Sequence, residues 1–178
     1  MKLEQTADGS YTLYVPELDE HYHSVKGALT ESQHIFIEMG LKHSPVSEPH
    51  ILEIGLGTGL NAFLTLLSAE ETRRKVHYTG IERYPLAEET LKQLDYPRLI
   101  GKQHEEDYYA IHQAPWDTET EVSPWFTLHK IEDDFTRLFN PVEGSRSAVP
   151  LYDIVYFDAF APDKQPEMWE QSLFDTLY

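Results

Sequence analysis

Apolar and polar positions along this chain group into alternating strand-like and helix-like stretches. Two short runs, KLEQT and SYTLYV, flank Ala7-Asp8-Gly9 and predict a hairpin over residues 2–15, since Asp-Gly supplies the positive φ angles of a tight turn. An acidic loop is expected over 16–23. A helix follows over 30–40: Thr30 is its N-cap, Gln33 completes a capping box, Ile35, Phe36 and Met39 form the apolar stripe, and Gly40 stops it. After a linker over 45–49, Ile51, Leu52 and Ile54 suit a buried strand, and Leu60, Ala62, Phe63, Leu64, Leu66 and Leu67 are helix material. Residues 75–81 (KVHYTGI) predict a second strand, and Pro85 opens a helix through Leu94 with Leu86, Leu91 and Leu94 on one side. The aromatic, acidic segment 96–124 is expected as an irregular insertion on one rim of the sheet. Residues 125–131 predict a third strand, followed by a short helix, FTRLF; a loop covers 144–150. LYDIVYF, residues 151–157, is a nearly continuous apolar run of the kind buried on both faces of a parallel sheet. A last helix begins at Pro166.

Strand and helix in alternation predict an α/β fold with a doubly wound, mostly parallel sheet. The expected division is a leader over 1–48, a hairpin, loop and helix that cover the cleft, and a core over 49–178. At 178 residues the chain is long enough to bury a sizeable core.

The first strand runs into a turn with an unusual glycine spacing. A dinucleotide fingerprint places its third glycine where this chain has Leu60; here Glu53 is followed by Gly55, Gly57 and Gly59 in strict alternation. A strand, a bare turn and a helix N-terminus let a polar ligand lie against backbone N–H groups. This E-x-G-x-G-x-G pattern resembles motif I of the S-adenosylmethionine-dependent methyltransferases, and the resemblance implies that Glu53 receives the ligand's ammonium, directly or through water. Without a ligand, the same residues are a tight βα turn.

Three further acids fall at strand ends. Glu82 lies twenty-three residues after Gly59, near the offset of about 20 at which an acid accepts ribose hydroxyls in nucleotide-binding βαβ units; its two oxygens suit a vicinal diol. Asp133, with Asp134 as the spare, follows the third strand, where an acid accepts the exocyclic amine of adenine in this fold, although Asp at a helix start also caps free N–H groups. Asp158 is delivered to the same carboxyl edge as the glycine turn. There it can accept a proton from a reacting amine or orient it, while Phe160 can stack on a planar base and Pro162 stiffens the loop. The competing account makes Asp158 a turn cap and Phe160 part of the core.

Fourteen Lys and Arg against thirty-one Asp and Glu give a formal net charge of −17, which argues against a broad basic face for nucleic acid. Arg73, Arg74 and Lys75 form the only basic cluster, read as a solvated helix end. No apolar stretch approaches the ~20 residues of a membrane span, and the first residues lack the apolar core of a signal peptide. There is no cysteine, so disulfides and thiolate metal sites are excluded, and the chain is placed in the cytoplasm by default. His21 and His23 are the only close histidine pair; no metal site is expected from them. Oligomeric state is not legible in the sequence.

Three segments, EIGLGTGLNAF at 53–63, IERYPL at 81–86 and FDAFAPDKQPEMWEQSLF at 157–174, together with the leader YHSVKGALTESQHIFIE at 22–38, resemble the methyltransferase domain of the tRNA 5-methylaminomethyl-2-thiouridine biosynthesis family. The resemblance implies a Rossmann-like class I methyltransferase fold, S-adenosylmethionine as cofactor, and methyl transfer to the aminomethyl nitrogen on carbon 5 of the wobble uridine of certain tRNAs. It implies that Glu53, Gly55, Gly57, Gly59 and Asn61 line the cofactor, Glu82 its ribose and Asp133 its adenine. Asp158 then meets the reacting amine, with Phe160, Pro162 and Lys164 on the substrate side and Tyr22 and Ser24 on the cleft wall. Ala159 stands where the family usually has glycine. The methyltransferase sheet of this type usually has seven strands, of which four are visible here, so the C-terminal strands are expected to be lacking. Bifunctional members add a flavin-dependent oxidoreductase half, so a separate protein of that kind is an expected partner. Two rivals remain: a small-amine or aminopropyl transferase of related fold, which the acidic balance suits, and a catalytically idle nucleoside-binding domain.

Overall fold

The computed structural model describes residues 1–138 and 151–177; the expected loop at 144–150 and the end of the FTRLF helix lie outside the described residues. The core is a five-stranded sheet in the order β6-β7-β5-β4-β8, made of β4 (His50–Ile54), β5 (Val76–Glu82), β6 (Glu119–Ser123), β7 (Phe126–Glu132) and β8 (Ile154–Phe157). β4, β5, β7 and β8 are parallel and only the edge strand β6 is antiparallel, paired with β7. The chain winds outward from β4 through β5 to β7, then returns to place β8 on the other side of β4. Between β4 and β8 the winding reverses, and in open α/β sheets ligands bind at the carboxyl edge of such a point.

Two apolar layers hold the sheet. On one face the helix α2 (Leu60–Thr72) presents Phe63 and Leu66 to Tyr78, Phe126 and Leu128, all essentially buried; on the other Leu52, Ile54 and Ile81 meet Phe135 and Leu173. Each such side chain contributes about 1.5–3 kcal/mol by leaving water. Nearly every residue in the first half of α2 is buried, because the leader covers the face that the sheet leaves open, as expected of a helix that is apolar all round.

The hairpin forms as β1 (Lys2–Gln5) and β2 (Tyr11–Val15), but the turn between them is longer than a two-residue Asp-Gly turn, with Thr6 N donating to Ser10 O at 2.8 Å and only Gly9 at positive φ. The acidic loop contains a third strand, β3 (Glu20–His21), paired with β2. The leader helix begins earlier than the sequence suggests: α1 spans Ala28–Ser32 and continues as a π-helical segment over Gln33–Glu38. Thr30 is therefore inside the helix. Its N–H and hydroxyl both donate to Asp8 in the hairpin turn, while Gln33 turns to Glu38, so no capping box forms. The π step also rotates the face: Ile37 is buried, whereas Ile35 is 48% and Met39 56% exposed.

The rim segment 96–124 is more regular than expected. It contains α4 (Tyr96–Ile100), α5 (Glu105–Gln113) and β6, preceded by α3 (Glu88–Leu94), whose first residues lie three positions beyond Pro85. α5 packs on α2 and buries Tyr108 and Ile111. The last strand is shorter than its apolar run: Leu151 is 93% exposed, and Asp153 ties the strand entry to His50 through its own N–H and carboxylate. After α6 (Phe135–Leu138) and β8, residues Pro166–Trp169 form a 3-10 turn before α7 (Gln171–Leu177).

Candidate functional site

A cleft of about 940 Å³ opens at the carboxyl edge of the sheet, between the β4 turn, the ends of β5 and β8, and the leader. Its floor is the glycine turn. Gly55 (φ 87) passes so close to the chain after β8 that a Cβ would lie 2.5 Å from the carbonyl oxygen of Asp158; Gly57 (φ 49) lies beneath the ring of Tyr22, 3.0 Å from where its Cβ would be. Side chains at either place would fill the cradle and strain the backbone. Gly55 and Leu56 donate to the Ile81 carbonyl, and Gly59 caps α2.

Glu82 holds this turn. One oxygen accepts the Gly57 N–H at 2.9 Å and the other the Tyr84 N–H at 2.8 Å. A carboxylate offers about four acceptor positions, so both oxygens keep capacity for a diol.

At the deep end, the amide nitrogen of Asn61 donates to Glu53 Oε1 and to Asp158 Oδ2, each at 2.8 Å, joining the first strand to the last. Glu53 is 0% exposed and does not line the cleft; it touches the site through Asn61. Burial first, and then the charge of Asp158, hold Glu53 well above the usual carboxylate range. Among the described residues no hydrogen-bond partner reaches Asn61 Oδ1, while the Tyr78 hydroxyl interacts with Glu53. A buried acceptor without a donor, beside a floor without side chains, fits a ligand that carries N–H groups. Burial pushes Asp158 up to about 7, with the Asn61 hydrogen bond opposing and the charge of Glu31 adding to the rise. It is poised to exchange a proton near neutrality.

The two acids after β7 separate in role. Asp134 caps α6 by accepting from the N–H and hydroxyl of Thr136 and pairs with Arg83 at 2.8 Å. Asp133 lines the cleft beside it, accepting the Asp134 N–H and lying 4.0 Å from Arg137.

On the opposite wall Tyr22 and Phe160 meet edge to face with centroids 5.2 Å apart, and the Phe160 carbonyl accepts the indole N–H of Trp169 at 2.8 Å. Burial and the charge of Glu82 push the Tyr22 hydroxyl up to about 12. Ser24 lines the cleft and donates its N–H to Glu31 at 2.8 Å; Pro162 lines it as well, but Lys164 does not, its ammonium lying 3.9 Å from Asp19 of the leader. His21 pairs with Glu4, and buried His23 meets the Thr58 hydroxyl at 2.8 Å, pinning the leader to the glycine turn.

Several residues have places at the site that the sequence does not reveal. Tyr84, mostly exposed, stands beneath the Arg83 guanidinium at the mouth. Glu31 comes from the leader helix. His112 backs the turn from behind, its ring 2.6 Å from where a Cβ on Gly59 would be, and Lys130, itself buried, donates to the His112 carbonyl at 2.7 Å. Ile35, Phe36 and Met39, the apolar stripe of the leader helix, line the cleft, and Phe36 also packs on Tyr156 with ring centroids 5.0 Å apart.

Comparison with known proteins agrees with this geometry. Residues 134–178 match the family described as S-adenosyl-L-methionine-dependent methyltransferase. Over 93% of its length the chain is 31% identical to the tRNA 5-methylaminomethyl-2-thiouridine biosynthesis bifunctional protein MnmC of Magnetococcus marinus, covering 25% of that protein. It is 30% identical to the protein of the same name from Idiomarina loihiensis, over 89% of this chain and 28% of the relative. The crystal structure of MNMC2 from Aquifex aeolicus superposes with a TM-score of 0.73 at 25% identity, over 99% of this chain and 54% of that one. The chain thus spans about a quarter of the length of the curated relatives it matches.

Proposed function

We infer that this chain is an S-adenosyl-L-methionine-dependent methyltransferase domain of the tRNA 5-methylaminomethyl-2-thiouridine biosynthesis type, which methylates the aminomethyl nitrogen on carbon 5 of the wobble uridine. The observation that carries the reading is the juxtaposition of Asp158, pushed up to about 7, with the glycine cradle at the reversal point of the sheet. The names of the matched proteins favour methyl transfer over aminopropyl transfer.

In this reading the turn of Gly55, Gly57 and Gly59 would hold the cofactor, Glu82 would accept from its ribose and Asp133 from its adenine; Asp134 would serve the adenine end indirectly, by fixing Arg83 and α6. Asn61 lines the cleft beside the turn, with Glu53 behind it accepting from its amide nitrogen. When bound, the cofactor supplies a methyl group on a sulfonium, whose S–C bond breaks with both electrons going to sulfur as the amine nitrogen bonds the carbon. The substrate amine arrives mostly protonated. Asp158 takes its proton and hydrogen-bonds the freed amine, so most of the remaining catalysis is positioning. Phe160 and Tyr22 hold the base, Pro162 stiffens the loop, Ser24 anchors the wall and Lys164 ties the loop to the leader.

The partners we propose are tRNA as substrate and a flavin-dependent oxidoreductase, the activity that the family resemblance adds. No helix among the described residues is long and apolar enough to cross a membrane, which suits a cytoplasmic tRNA-modifying protein. The test is methyl transfer from labelled S-adenosylmethionine to tRNA bearing 5-aminomethyl-2-thiouridine, followed by nucleoside mass spectrometry. The reading requires label on the aminomethyl nitrogen, and unlabelled tRNA beside measurable cofactor binding would overturn it.

A further inference from the structure

Asp158 is not the only carboxylate that lines the cleft. Glu31, on α1 of the leader, lines the same cavity 127 positions away in sequence, and its charge acts on Asp158. It is fixed there from the far side, one oxygen accepting the Ser24 N–H at 2.8 Å. The helix that carries it is tied to the hairpin through the Thr30–Asp8 hydrogen bonds one residue away. Between the two elements Asn61, 2% exposed and lining the cleft, presents a carbonyl oxygen with no donor among the described residues. This wall offers acceptors and negative charge; Lys164, which does not line the cleft, lies beside Asp163 and Asp19. A neutral hydroxyl would leave the two carboxylates uncompensated, whereas an ammonium supplies both hydrogen-bond donors and charge.

We propose that Glu31 is the second carboxylate of the amine site, binding the substrate ammonium together with Asp158 and fixing the preference for a cationic primary amine. The proposal rests on the methyl-transfer reading above and adds a residue and a selectivity to it. Glu31 acts by binding and through its field on Asp158; the proton goes to Asp158.

The other titratable groups around Asp158 do not substitute for it. Glu53 on β4 is buried and held neutral-leaning by its surroundings, and Tyr78 on β5 and Tyr96 on α4, both affected by Asp158, have hydroxyls pushed far above neutrality by burial. Among the described residues Glu31 is therefore the group whose negative charge bears on Asp158 near pH 7.

The test is Glu31→Gln in the full chain, because glutamine keeps an oxygen to accept the Ser24 N–H. Steady-state methylation of tRNA carrying 5-aminomethyl-2-thiouridine is followed across pH, with inhibition by free 5-aminomethyluridine and by uncharged 5-hydroxymethyluridine. Loss of one partly screened charge raises KM about five-fold and narrows the preference for the amine over the hydroxyl inhibitor by the same factor. It also moves the acidic limb of kcat/KM to lower pH, while the Kd for S-adenosylhomocysteine and Tm stay unchanged. An unchanged limb and an unchanged inhibitor ratio, with the unaltered chain active, overturn the role of Glu31 and leave the function standing. No methyl transfer by the unaltered chain overturns both.

Discussion

Gly57 and Asp158 carry most of the site, and each makes a separable demand. Valine at position 57 must adopt φ near 49 and enter the ring of Tyr22, which costs about 1–3 kcal/mol in backbone strain alone; Gly57→Val should lose S-adenosylhomocysteine binding by isothermal calorimetry at least ten-fold. Asp158→Asn should keep that binding and lose about 10²–10⁴ in methyl-transfer rate, the range of a general base. The pH behaviour follows from the direction of its shift. A carboxyl whose folded value, about 7, lies above its ordinary value of 3.8 is stabilised in its protonated form, so its charge weakens the fold as pH rises from near 4 through 7. Activity should rise through pH 7, and Asp158→Asn should unfold at a Tm equal to or above that of the parent at pH 8. Each of these residues was legible in the sequence, because glycine alternation and an acid at a strand end are local signals. The places of Glu31, Tyr84 and His112 were not, although Glu31 and Tyr84 lie in segments that carry the family resemblance. Their roles depend on which elements fold against the turn, which local spacing does not record.

At the scale of elements, the leader is held by a few concentrated contacts. Asp8 accepts from Thr6, Ser10 and Thr30; burial alone would raise its carboxyl, but those hydrogen bonds prevail and hold it well below 3.8. Its stabilisation is therefore complete above pH 3.8 and fades as pH falls below it. Asp8→Ala should cost about 1–3 kcal/mol in urea unfolding at pH 7 and less, though not nothing, at pH 2, because the folded carboxyl is still largely ionised there. Arg74, whose neighbours suggest a solvated basic cluster, donates to the carbonyls of Leu41, Ser44 and Val46 and clamps the linker into β4. Arg74→Ala should cost about 1.5–3 kcal/mol, read from the same unfolding curves. The strands that period and apolarity predicted are present, whereas the expected leader helix misplaces its cap because Asp8 supplies it from twenty-two residues away. The leader helix takes a π step after Ser32, with Ile37 buried and Ile35 and Met39 exposed along the cleft; no pattern of spacing encodes that step.

The whole molecule carries a charge of −17, which sets how it can meet an anionic polymer. With few cations to displace counterions, binding of tRNA should depend weakly on salt, changing less than ten-fold between 50 and 200 mM, against the steep loss of a protein that makes many phosphate contacts. Under the proposed function, recognition would then fall on the base, through Tyr22, Phe160 and the apolar wall of the leader. The doubly wound fold was legible from the alternation of strand and helix; the helices and edge strand of 96–124 were hidden by aromatic and acidic residues that serve α5 on one face and solvent on the other. The measurement that tests the account most directly is mass spectrometry of the wobble nucleoside after incubation of tRNA bearing 5-aminomethyl-2-thiouridine with S-adenosylmethionine and either the parent chain or Asp158→Asn. The account predicts one added methyl on the aminomethyl nitrogen with the parent and almost none with the variant. Methylation by the variant at the parent rate would contradict it.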